Sequence, residues 1–269
     1  MEFTKILKPF SQLFPSAPLS IKPSLPFTIM ILSPHPDDEC ITGSLPLRLL
    51  HENNAHIINV AVTLGSKTER QEERKQELLN ACELLEMECL FLEESWSKKA
   101  KELKSLIQKY QPDLILAPHL KDHHPTHIKT GELLLKVLES IKTTHLICWT
   151  EFWGQMKKPN ILVEVPKEIL ELQMKALAMH VGEVQRNPYH LRLPAWMMDN
   201  VRRGSEVISG PGSEANHMAY GVLYQLQLFQ EGKLKAAKLA TPILQADTNI
   251  AQIFKLILEA ASGSKTKVK

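Results

Sequence analysis

The chain has 269 residues, 43% of them hydrophobic and 23% charged, a balance that allows a folded protein with a sizeable core. Lys+Arg number 32 against 30 Asp+Glu, so the net charge of +2 asks for neither nucleic acid nor an anionic membrane as partner. The four cysteines, Cys40, Cys82, Cys89 and Cys148, make no CxxC pair; this excludes a Cys-rich zinc site and argues for reduced thiols in a cytoplasmic protein.

Residues 1–26 contain Pro9, Pro15, Pro18, Pro23 and Pro26 and no clean apolar stretch, which predicts an irregular leader and not a signal peptide. No later run approaches the roughly 20 continuous apolar residues of a membrane span. Five short, β-rich runs follow at residues 27–33, 56–64, 89–92, 113–118 and 145–150. Each is apolar almost without interruption, as strands buried on both faces of a parallel sheet are. Between them, residues 68–85, 99–109 and 128–141 have helical spacing and good helix formers. Strand and helix alternate, which predicts an α/β fold, a Rossmann-like, doubly wound, mostly parallel sheet with helices on both faces.

The second half is less regular. Residues 157–160 read as a turn, 161–165 as a strand, 167–180 as a helix, and 185–203 as a polar, aromatic segment without clear period. Residues 209–212 read as a loop, 214–230 as a helix, and 243–261 as a last helix. A single domain is expected over 27–262, with a flexible basic tail at 263–269.

The chemistry concentrates where two of the runs end. The first run leads into Ser33-Pro34-His35-Pro36-Asp37-Asp38-Glu39, with one imidazole and three carboxylates inside five residues. Adjacent acids repel unless a cation or strong donors offset them. The fourth run leads into Pro118-His119 and then His123-His124-Pro125-Thr126-His127. In a doubly wound sheet the first and fourth strands are neighbours, so their carboxyl-end loops face one another across the switch point. By itself the first loop reads equally well as a solvated strand-to-helix turn with Asp as helix cap, and the second as a polar loop with four histidines. Together they offer two histidines and a carboxylate, the ligand type of a catalytic zinc that keeps one position for water. His35, Asp38 and His127 are the candidate ligands, Asp37 the candidate general base, and His124 the candidate donor to an oxyanion.

The stretches PHPDDE (Pro34 to Glu39) and HPTH (His124 to His127) resemble the [PA]HPDDE and HPxH signatures of the LmbE-like, or PIG-L, deacetylases. Arg74, Glu77, Ala81 and Leu85 fit that family's helix pattern, and Lys175, Ala176, Leu177 and His180 fit a later stretch, so the likeness spans residues 27–224. The resemblance implies a zinc-dependent hydrolase that removes an N-acetyl or similar N-acyl group from an N-acetylglucosamine-type sugar or conjugate. It implies the same roles for His35, Asp38, His127, Asp37 and His124; the ligand types themselves would also accept iron(II) or another divalent ion in place of zinc. Three positions depart from the family's habit: Thr126 stands where Asp is common, Glu86 where Gly is common, and Val181-Gly182-Glu183 where Ser-Gln usually follows the late histidine.

Arg74, Arg186, Tyr189 and Arg192 are the candidate substrate contacts. Asp122 is expected to orient a ligand histidine, Glu39 to bond local backbone, His180 to close a helix, and His119 and His123 to sit beside the site. Trp149, Trp153 and Trp196 could stack on a sugar ring, but core packing is the expected role. The expected partner is a small amino-sugar substrate, with no nucleic acid and no membrane, and a homo-oligomer stays open. Two other readings of the same ligands stand beside the hydrolase: a mononuclear iron(II) oxygenase, and a non-catalytic carbohydrate-binding protein that keeps a metal for structure.

Overall fold

Successive residues of the central strands point to opposite faces, and here both sets are apolar. In β1 (Thr28–Ser33), Ile29 and Ile31 join one buried cluster while Met30 and Leu32 join the other. β4 (Leu114–Pro118) divides likewise, Leu114 and Leu116 on one face and Ile115 and Ala117 on the other. Such strands need cover on both sides. Helices α5 (Trp96–Tyr110) and α6 (Pro125–Ile141) cover one face. Helices α3 (Ser44–Asn53), α4 (Gln71–Leu84), α7 (Lys167–Leu177), α9 (Tyr189–Ser209) and α10 (Ile250–Ala261) cover the other. The computed structural model describes residues 2–14, 18–93, 95–141, 143–237 and 239–262.

The sheet runs β3-β2-β1-β4-β5-β7-β6-β9, with β8 (Lys233–Ala236) beside β7. Its parallel half comprises β3 (Glu88–Phe91), β2 (His56–Ala61), β1, β4 and β5 (His145–Thr150). The order reverses between β1 and β4, which pair with Ile29 opposite Leu114, Met30 opposite Ile115 and Ile31 opposite Leu116. The α/β, mostly parallel architecture expected from the sequence is present.

Four local expectations are corrected. The N-terminal leader contains a helix, α1 (Phe3–Leu13), that buries Phe3 and Leu7; residues 15–17 lie outside the described residues. The apolar spacing outweighs the lost N–H of Pro9. Residues 214–230 do not form a helix: β7 (Gly221–Gln230) pairs antiparallel with β5 on one side and with β6 (Ile161–Glu164) on the other. Its Tyr-Gln-Leu-Gln-Leu-Phe stretch is compatible with either state locally, and the two waiting edges decide. The segment read as aperiodic is helical, α8 (Val181–Arg186) and α9, whose Tyr189, Leu193, Met197 and Val201 repeat every four residues; Pro194 and the polar face hid the period. The last helix is shorter than expected. Strand β9 (Ile243–Leu244) comes first, and Asn249 caps α10 by accepting from the Gln252 N–H at 3.3 Å. The tail at 263–269 lies outside the described residues. No helix among the described residues is long and apolar enough to cross a membrane.

One buried charge network fastens α3 to the far half of the sheet. Arg48, fully buried, donates to Glu52 Oε1 at 2.7 Å and to the carbonyls of Glu164, Leu244, Gln245 and Ala246 at 3.0, 3.2, 3.0 and 3.2 Å. Lys22 closes the network on Glu52 Oε2 at 2.6 Å. The two terminal nitrogens of the guanidinium therefore tie the ends of β6 and β9 to the two residues that follow β9. Breaking a buried pair leaves the partner charge uncompensated. Arg48→Met should lower unfolding stability by about 3–5 kcal/mol in urea titrations; a loss below about 1 kcal/mol would show that water replaces the network without cost.

Candidate metal centre

Both predicted loops emerge from adjacent strands at the switch point of the sheet. After β1 the chain turns sharply at Asp37, which has φ 116° and ψ −26°, and enters the short helix α2 (Asp38–Thr42). The Asp37 carbonyl accepts from the N–H groups of Cys40 and Ile41, both at 3.1 Å, and so starts that helix. Asp38 Oδ2 accepts the His35 N–H at 2.9 Å, and Arg74 donates to the Pro36 carbonyl at 3.0 Å. After β4, Asp122 Oδ1 accepts the His124 N–H at 2.8 Å, and α6 starts at Pro125, a residue with no amide proton to leave unpaired there.

The loops bring their side chains together. Asp38 Oδ2 lies 3.6 Å from His35 Nδ1 and 3.5 Å from His127 Nε2. The ring centroids are 5.3 Å apart for His35 and His127, 4.7 Å for His35 and His124, and 5.0 Å for His124 and His127. Ligand-type nitrogens of the three histidines all fall within 4.8 Å of one another. His127 Nε2 is buried and has no hydrogen-bond partner among the described residues. An orphaned imidazole nitrogen facing a carboxylate is costly in a dry site, and it suits a cation bound between them. Ligands about 2.0–2.1 Å from a tetrahedral zinc sit roughly 3.3 Å from each other, close to the two separations from Asp38. The residues therefore fit a divalent ion. On the far side of the ring, His127 Nδ1 lies 3.6 Å from Asp122 Oδ2, where a carboxylate steadies the imidazole.

Burial and neighbouring charge set the protonation states. Burial pushes the Asp37 carboxyl well above its usual range, and the carboxylates of Asp38 and Glu39 add to this against the guanidinium of Arg74. Asp38 is equally buried, but His127 and His35 outweigh that burial and lower it to about 2. His124 is lowered by burial and then by the charges of His35 and His127, so it favours the neutral ring. Its Nδ1 accepts the Thr126 N–H at 3.3 Å, which places the ring proton on Nε2. Burial would lower His127, but Asp38 and Asp122 raise it.

The remaining expected residues divide. Arg74 reaches the Pro36 carbonyl and lies 3.8 Å from Glu183, so it braces the first loop as well as standing beside Asp37. Tyr189 is buried and packs edge-on against Trp153 at 5.3 Å between ring centroids. Arg186 is mostly exposed and pairs with Glu183. Arg192 is exposed on α9. His119 bonds the Gly154 carbonyl at 2.8 Å, and His123 is exposed. His180 does more than close a helix: it is fully buried and bonds Glu39 Oε1 at 2.7 Å. Trp149 is core, but Trp153 is 44% exposed, which corrects its expected place. Glu183, one of the positions that depart from the family's habit, was missed. It is buried among Arg70, Arg74 and Arg186, and only its acidic character in an arginine-rich stretch signalled it.

A non-glycine residue held at positive φ costs on the order of 1–3 kcal/mol, and a buried acid beside two others adds to the cost. Asp37→Gly removes both terms at the price of some chain entropy. In metal-free protein it should raise unfolding stability by about 1–2 kcal/mol in chemical denaturation. A destabilised variant would show that the turn stores no strain.

No curated protein matches the chain by sequence. Several solved structures share its fold. N,N'-diacetylchitobiose deacetylase from Pyrococcus horikoshii is 18% identical with a TM-score of 0.58, over 76% of this chain and 84% of that one. The zinc-inhibited form of teicoplanin deacetylase Orf2 is 14% identical with a TM-score of 0.57, over 75% and 97%. GalB, the 4-carboxy-2-hydroxymuconate hydratase from Pseudomonas putida KT2440, is 14% identical with a TM-score of 0.60, over 74% and 95%. Residues 30–138 match the family model PIG-L, GlcNAc-PI de-N-acetylase. That segment spans both loops of the candidate centre, so the chain is similar to the PIG-L (LmbE-like) family over the stretch that carries them.

Proposed function

We propose that this chain is a divalent-metal-dependent N-deacetylase acting on an N-acetylglucosamine-type sugar or conjugate, with His35, Asp38 and His127 as ligands, Asp37 as general base and His124 as oxyanion donor. The observation that carries the reading is the Asp38 carboxylate standing 3.6 and 3.5 Å from His35 and His127, with a second buried carboxyl, Asp37, next to it in the chain. Zinc or iron(II) held there would supply Lewis acidity, bringing the pKa of a water to about 7 and polarising an amide carbonyl.

The protein's own groups do the rest. Asp37, whose burial favours taking up a proton, accepts one from the attacking water and passes it to the leaving amine. His124, neutral and with its proton on Nε2, donates to the carbonyl oxygen as that oxygen gains charge. The amide C–N bond breaks, and acetate and a free amine leave. Asp122 steadies His127 from behind. Tyr189, Arg186, Arg192 and exposed Trp153 form the rim offered to the sugar, with Arg74 beneath it holding Pro36.

The family-model match over residues 30–138 and the two deacetylases of like fold support the hydrolase. The hydratase of like fold shows that fold does not choose the reaction. The strained, buried Asp37 favours hydrolysis over a purely structural metal, which needs no adjacent base. Asp37→Asn should keep metal stoichiometry and lower kcat by on the order of 10²–10⁴; full turnover in that variant would refute the base assignment.

Metal-loaded protein offered a panel of N-acetylated amino sugars should release free amine, stop on chelation and resume on adding zinc or iron(II). Oxygen uptake without acetate release would instead identify an oxygenase. Sugar binding without acetate release would identify a binding protein.

A further inference from the structure

Glu39 and His180 are both fully buried, and the mechanism above leaves them unused. They are 141 residues apart in the chain, yet His180 Nε2 meets Glu39 Oε1 at 2.7 Å. The Cys40 thiol donates to the same oxygen at 3.0 Å. The other oxygen, Oε2, accepts the backbone N–H of Asp37 at 3.0 Å. Both carboxylate oxygens are thus committed, and neither can rotate away without leaving a buried donor unpaired. His180 is itself fixed: it caps α8, and its carbonyl accepts from Glu183 and Val184, each at 3.0 Å. The chain of contacts runs from a helix terminus, through an imidazole and a carboxylate, to the amide of the one non-glycine residue in this loop held at positive φ. Such a conformation persists only where its surroundings over-determine it.

We infer that Glu39 and His180 are a positioning pair that locks the left-handed turn at Asp37 and so aims the Asp37 carboxylate at the reacting water. This rests on the reading of Asp37 as the base. A pair serving stability alone would occupy the same place, and the two roles differ in what they couple to.

The test uses metal-loaded protein with His180→Gln, which keeps an N–H donor, and His180→Leu, which fills the space without one. His180→Leu should lower kcat by on the order of 10- to 100-fold, as small misplacement of a catalytic group does, with KM and metal stoichiometry unchanged. His180→Gln should restore most of the rate. In an Asp37→Asn background, His180→Leu should produce no further loss, because its effect passes through Asp37. The same fold-loss in both backgrounds, or a change confined to KM, would overturn the inference. Crystal structures of both variants give a readout independent of activity. Asp37 should leave its φ of 116° in His180→Leu and keep it in His180→Gln; an unmoved Asp37 in His180→Leu would overturn the pair's role. If the unaltered protein releases no acetate from any substrate, the deacetylase reading fails, and the backbone readout still decides whether the pair holds the turn.

Discussion

The parallel pairing of β1 with β4 is the constraint from which the candidate centre follows. Three register pairs hold the strands side by side and bring their carboxyl ends to the same edge, so that segments some eighty residues apart become facing loops. The strands hold that place because both of their faces are covered by helices and no slip of register is free of cost when each face is buried. The candidate centre is hung on this seam: His35 and Asp38 from one side, Asp122, His124 and His127 from the other.

Three consecutive acids, Asp37, Asp38 and Glu39, stand in one short turn and meet three different environments. Asp38 faces two imidazoles, which overcome its burial and keep it charged. Glu39 turns inward, where His180, the Cys40 thiol and the Asp37 amide satisfy it. Asp37 has no comparable partner among the described residues: Arg74 opposes its burial and its acidic neighbours without outweighing them, and its carboxyl is pushed up. Neighbouring carboxyls driven apart in this way are the arrangement that the proposed roles of Asp38 as ligand and Asp37 as proton acceptor require.

The places where the chain departs from the family's habit have structural counterparts. Where Ser-Gln is usual, Gly182 lets Arg70 pass so closely that a Cβ there would lie 1.7 Å from Nη2. Glu183 then gathers Arg70, Arg74 and Arg186 around one buried carboxylate. The Gly182 amide is bonded by Glu77 at 3.0 Å, so α4, which carries Arg74, is tied to α8 at this point. The segment therefore joins the bracing of the first loop to Arg186, and one departure changes both.

Much was legible from local pattern. Near-continuous apolar runs marked the five parallel strands, because a strand covered on both faces has no polar side to alternate with. PHPDDE and HPTH marked the two loops, because so many ligand-type residues seldom gather without a cation. Less legible were the antiparallel strand at 221–230 and the helix at 189–209, where local preference is divided and burial against distant partners decides. The joining of His180 to Glu39, and of Glu183 to three arginines, was hidden for the same reason: a hydrogen bond across 141 residues leaves no local period to read. The amino-acid sequence by itself determined the sheet type, the loops of the candidate centre and the kinds of group in them. Only the tertiary structure decided which carboxylate is drawn between imidazoles, which is locked inward and which is left strained and unpaired, because those fates depend on charge and burial contributed by elements far away in the chain.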